Sequence, residues 1–227
     1  MDSKWQVDLE FLETGDIYFF YKPKSSVVKT SGINDVSRFF VILSPEKDSP
    51  SRYIVIGNKK MPQLSQDKTA WGFVQMIGGK GFSVLPKNEN IVPKNLSRPA
   101  GEGIYAIVKH RYHTHLLYQL ELPRIMGPVQ KAFNIFKQTD YIILERQVKA
   151  SPNLGDYPFS NFSPVTVAKL NARGTEILLV GVGGDFGRLG IKADPEKETL
   201  ETADIFNKLK VSIQRHPFDA LISGQWI

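Results

Sequence analysis

The feature that most constrains this chain is a succession of short runs of β-branched and aromatic residues, each stopped by proline, glycine or a polar turn. Asp16-IYFFYK-Pro23, Arg38-FFVIL-Ser44 and Arg52-YIVI-Gly57 come early; Asp140-YIILERQ-Val148 and Thr175-EILLVGVG come late. Such side chains lose rotamer freedom in helices and pack well on a pleated surface, so the runs read as strands. The runs at 38–44 and 52–57 are apolar almost without interruption, as strands buried on both faces are. Trp71-GFVQM-Ile77 fits either a strand or a short helix. Residues 78–100, with Gly78, Gly79, Gly81, Pro86, Pro93 and Pro99, read as loop and as the natural internal boundary.

Two segments read as helices. In Gly127-PVQKAFNIFKQ, Pro128 suits a first helical position and Val129, Ala132, Phe133 and Phe136 fall at helical spacing. Asp194-PEKETLETADIFNKLK has a capping acid, Pro195 in the first turn, acids early and Lys208 and Lys210 late. Its Leu200, Ala203, Phe206 and Leu209 make an apolar stripe that should cover a sheet. The expected fold is therefore α+β and β-rich, with mixed or antiparallel sheet and a few covering helices. Residues 1–227 are expected to act as one unit, with a subdivision into a β-rich half 1–97 and an α+β half 98–227. An echo between Phe39-FVILSP…RYIVIGNKKMP and Leu116-LYQLELP…YIILERQVKASP raises two similar halves as an option.

Composition removes several classes of function. The absence of cysteine excludes disulfides, thiolate catalysis and iron–sulfur clusters. No apolar run approaches the roughly 20 residues of a membrane helix. The N-terminus carries early acids and no apolar core, so no secretory signal is read, and a cytoplasmic location away from the membrane is expected. The net charge of +6 is spread in ones and twos, densest at Lys22/Lys24, Lys59/Lys60 and Lys109/Arg111. Diffuse charge of this kind is ordinarily solvated surface.

Chemistry concentrates at one place. Three of the four histidines, His110, His113 and His115, sit at the tip of a β-hairpin, Gly103-IYAIVKH-RY-HTHLLYQLEL-Pro123. If Arg111-Tyr112 is a two-residue loop, His110 opposes His113, His115 opposes Val108, and all three rings share a face. They would then suit a divalent metal such as Zn²⁺, Fe²⁺ or Mn²⁺, or act as catalytic acids and bases. Lys109 and Arg111, with Lys59 and Lys60, are the candidate ligand-binding cations. Arg-Tyr is poor chemistry for a tight hairpin turn, and a loop one residue longer would send His110 to the other face. The plain alternative is a polar hairpin tip with solvated rings.

The leading expectation is binding of a small anionic ligand, with metal-assisted hydrolysis or transfer as an extension. The alternatives are a nucleic-acid-binding module using Tyr18, Phe19, Phe20 and Tyr21 with Lys22 and Lys24, or a non-catalytic protein-interaction module. Gly181-VGGDF-Gly187 has the wrong spacing for a dinucleotide loop and too little chain after it, so neither a nicotinamide nor a flavin motif is present. There is no P-loop and no nucleophile elbow. His216 reads as a surface residue, and Trp226 as a ring that docks on the core.

GDIYFFYKPK (15–24), RYIVIGNKKMP (52–62), RPAGEGIYAIVKHRYHTHLLYQLELP (98–123), GPVQKAFNI (127–135) and ISGQW (222–226) together resemble an uncharacterised family of bacterial and archaeal proteins. The resemblance spans nearly the whole chain. It implies one functional unit and no particular activity.

Overall fold

The computed structural model describes residues 9–47, 49–65, 68–79, 96–146, 161–183, 191, 195, 198–199, 202–209 and 216–227. Among these residues nine strands form: β1 (Leu9–Pro23), β2 (Val36–Pro45), β3 (Ser51–Ile56), β4 (Thr69–Gly78), β5 (Arg98–His110), β6 (His113–Leu122), β7 (Gln138–Arg146), β8 (Phe162–Pro164) and β9 (Glu176–Gly183). All pairings are antiparallel, in the order β6-β5-β1-β2-β3-β4-β9-β7-β8, and β6 also pairs with β7. Eight strands thus close into a barrel. β8 stays outside it, pairing with Leu144–Arg146 of β7 beyond the stretch that pairs with β6.

This corrects the α+β expectation: the protein is a mostly-β barrel with helix only in small pieces. Among the described residues the α-helices are α1 (Pro128–Phe133), α2 (Val167–Leu170), α3 (Asp204–Asn207) and α4 (Asp219–Ile222), with one 3-10 turn at Ile33–Asp35. The barrel is two four-stranded meanders, β1-β2-β3-β4 and β5-β6-β7-β9, sewn together along β1–β5 and β4–β9. The sequence echo does not mark equivalent positions in them. Tyr53 lies in the cluster outside the barrel wall, whereas Tyr141 lies in the cluster that fills the barrel.

Strands buried on both faces are present, and the barrel shows why. Along β1, Ile17, Phe19 and Tyr21 point into the barrel, while Tyr18 and Phe20 point outward beneath Ala203, Ile205, Leu209, Phe218 and Leu221 of the C-terminal segment. Burying each such aromatic is worth roughly 1.5–3 kcal/mol. Inward-facing side chains of the described strands form one packed cluster, and an internal space between Val41, Leu43, Ile54, Leu116, Ile143 and Leu179 holds about 10 Å³, as in eight-stranded barrels whose side chains fill the lumen.

The expected helix over 194–210 is not formed in the described part. Glu198 and Thr199 are non-helical, and helix is confined to Asp204–Asn207. A buried carboxyl group on β5, that of Glu102, accepts the N–H groups of Asp204 and Ile205, so α3 begins there. Asp194 and residues 184–187 lie outside the described residues. α1 follows the sequence at its start, where Pro128 opens it, but it is shorter than expected: Asn134, in the left-handed region at φ 52°, ends it, and Phe136 falls outside the helix. Residues 71–77 resolve as strand. The tail packs as expected, with Trp226 5.5 Å from both Tyr21 and Phe133, ring to ring. His216 corrects its surface reading, being buried with Nδ1 2.8 Å from the Ser97 carbonyl.

Candidate functional site

The β5–β6 hairpin turns in two residues. His110 pairs with His113 and Val108 with His115, and Arg111 takes φ 53° at the first loop position. A positive φ at that position alone is the sign pattern of a type II′ turn, adopted here by an arginine rather than glycine. All three histidines therefore leave the outer face of the barrel wall. The rings of His110 and His113 lie 5.9 and 6.3 Å from that of His115.

His115 differs from its neighbours. It is buried, and its Nδ1 sits 2.7 Å from Oδ1 of Asp140, itself only 2% exposed. β7 supplies this carboxylate from the residue pair next along the ladder, since His115 opposes Ile142 and Leu117 opposes Asp140. With Nδ1 donating to Asp140, the neutral ring carries its lone pair on Nε2. That atom is buried and has no hydrogen-bond partner. An unpaired buried polar atom costs about 1–3 kcal/mol, a cost that a ligand would relieve. His110 is held below its ordinary pKa by burial first, then by the positive neighbours His115, Arg111 and His113.

The remaining predicted cations do not converge on these rings. Lys109 leaves the opposite side of β5 and lies 3.9 Å from Glu10. Lys59 and Lys60 follow β3 at the far end of the barrel, where Lys59 Nζ donates to the Val36 carbonyl at 2.7 Å. Arg111 remains at the exposed turn. The three imidazoles share a face, but they are not among the sets of ligand atoms that gather within 4.8 Å. Among the described residues that condition is met by Glu102, Glu198 and Asp204.

Sequence reasoning missed Asp140, Glu102 and the barrel's buried ion pair. Asp140 stands directly before the apolar run of β7, but α1 separates β6 from β7, so no turn type fixes their register. At the barrel end nearest the histidines, Arg52 donates to both carboxylate oxygens of Glu13 at 2.5 Å and to Asn171 Oδ1 at 2.7 Å. The Tyr105 hydroxyl donates to Glu13 at 2.6 Å. Tyr18–Tyr21, the proposed base-stacking platform, are all fully buried. A separate open groove of about 360 Å³ lies between Trp71, Phe73, Arg146 and Glu176. No helix among the described residues is long and apolar enough to cross a membrane. No protein-family model, curated protein or solved structure matches this chain.

Proposed function

We propose that the chain binds a small anionic ligand on the outer barrel wall at the histidine hairpin, with His115 as the group that exchanges a proton with it. The observation that carries this reading is the buried Nε2 of His115, unpaired while Nδ1 is fixed by Asp140. A neutral ring in that state takes a proton from a ligand hydroxyl or a bound water, and the imidazolium so formed is stabilised by Asp140. Protonated, the same ring donates to a phosphate or carboxylate oxygen. His110 and His113 flank it and Arg111 adds positive charge at the rim.

The test is an NMR titration of histidine-labelled protein with inorganic phosphate, pyrophosphate and acetate. His115 ring resonances are expected to move saturably, and His115→Gln to abolish binding. Resonances that stay fixed at millimolar concentrations of all three anions refute the reading. A second reading, docking of a partner at β4, is favoured by Trp71 and Phe73, 42% and 41% exposed on one side of that strand. It predicts that Trp71→Ala removes partner binding and leaves the anion titration unchanged.

A further inference from the structure

We infer that Glu102, Glu198 and Asp204 form a site for one hard divalent cation, clamping the C-terminal segment to the outside of the barrel. Glu102 leaves the outer face of β5 directly opposite Tyr18 on β1. Its two oxygens accept the N–H groups of Asp204 at 2.6 Å and Ile205 at 3.3 Å, which carries Asp204 to the same spot. Glu198 comes in from the same segment and is buried. One oxygen from each of the three lies within 4.8 Å of the others. Two oxygens on opposite sides of an ion, each at about 2.3–2.4 Å, are separated by about that distance.

The Tyr18 hydroxyl is an independent pointer. Tyr18 is fully buried, its oxygen has no hydrogen-bond partner, and Asp16, Glu102, Asp204 and Glu198 all act on it electrostatically. A phenolic oxygen left bare beside carboxylates is accounted for by a cation, or by a water on that cation, lying between them. Charge points the same way. Four carboxyl groups act together there; the Lys208 ammonium bridges Asp16 at 2.9 Å and Asp204 at 2.5 Å, and the Arg124 guanidinium donates to the Glu198 carbonyl at 3.1 Å. An all-oxygen donor set without histidine or cysteine selects Mg²⁺, Mn²⁺ or Ca²⁺ over zinc or copper. The site is separate from the histidine hairpin and stands without it.

The experiment uses the full chain stripped with chelator, then titrated with Mn²⁺ followed by electron paramagnetic resonance, and with Tb³⁺ followed by emission excited through tyrosine. One saturable Mn²⁺ per chain is expected, with affinity at least about tenfold weaker in Glu198→Gln and Asp204→Asn, because ligand charge sets affinity at such sites. Tyr18→Phe keeps the ring and its packing, so it serves even where the carboxamide variants unfold. It should remove most of the sensitised Tb³⁺ emission. Absence of saturable Mn²⁺ binding overturns the inference. So does binding that folded Glu198→Gln and Asp204→Asn leave unchanged, or Tb³⁺ emission that Tyr18→Phe leaves intact.

Discussion

Replacing Glu102 with Gln tests the electrostatics of the outer barrel wall through the pH dependence of stability. In metal-free protein, burial and then the hydrogen bond to Glu198 push the Glu102 carboxyl up to about 10, from an ordinary value of 4.5. Between those two values the folded chain holds one proton more than the unfolded chain. Unfolding free energy from this group therefore falls as pH rises, by about 1.36 kcal/mol per unit. From pH 7 to pH 9 the loss is about 3 kcal/mol. At roughly 2–4 °C per kcal/mol for a chain of this length, Tm drops by about 6–12 °C. Gln cannot titrate, yet its carbonyl still accepts an N–H from Asp204 or Ile205. Thermal and urea unfolding of both proteins in chelator should give a steep decline for the wild type and a flatter one for Glu102→Gln. His110, whose folded pKa is lowered, acts with the opposite sign and below this window. Parallel curves for the two proteins from pH 7 to 9 would show that Glu102 is ionised in the fold and refute the reasoning.

Other perturbations read other parts of the molecule. Arg52→Met strands the buried Glu13 carboxylate and should cost about 3–5 kcal/mol in urea unfolding, much of it recovered in Arg52→Met/Glu13→Leu. Full additivity of the two substitutions would contradict that account. Gly103→Ala places a methyl group 2.1 Å from the Gln119 carbonyl oxygen, in a ladder position with backbone on the other side. A loss of about 3 kcal/mol or failure to fold is expected, and a wild-type Tm would disprove the close approach. Asp140→Asn removes the charge and offers the His115 ring an amide donor as well as an acceptor, so the side chain no longer dictates which ring nitrogen carries the proton. ¹⁵N spectra should show the Nδ1-protonated form give way to a mixture, and an unchanged spectrum would mean another group sets the tautomer.

What the sequence showed and what it hid follow from the range of the interactions. β1, β2, β3, β7 and β9 were legible because each is specified by its own side chains, and α1 because Pro128 and its apolar spacing are local. The hairpin face was legible up to one turn, which depended on Arg111 accepting a positive φ. Closure was not legible: β1–β5, β4–β9 and β6–β7 join residues far apart in the chain, and periodicity carries no information on which strands pair. The same limit hid Asp140, which becomes the partner of His115 only through the β6–β7 register. The segment at 194–210 misled because its amphipathic pattern is real. Ala203, Phe206 and Leu209 do pack on the wall, while contacts with Glu102 set the start of the short helix at Asp204.

The seams β1–β5 and β4–β9 also determine the order in which the molecule can be assembled. A nascent chain ending near Gly78 holds a four-stranded meander whose outer strands, β1 and β4, have unpaired backbone and partners not yet made. β5 satisfies β1 soon after, but β4 waits for β9, about a hundred residues further on. Until β9 emerges, the open edge of β4 presents the exposed rings of Trp71 and Phe73 beside free N–H and C=O groups, the combination that recruits foreign strands. Fragments cut before Thr175 should therefore aggregate where the whole chain does not. The last strand of the barrel acts, in effect, as the chain's own protection against misassembly.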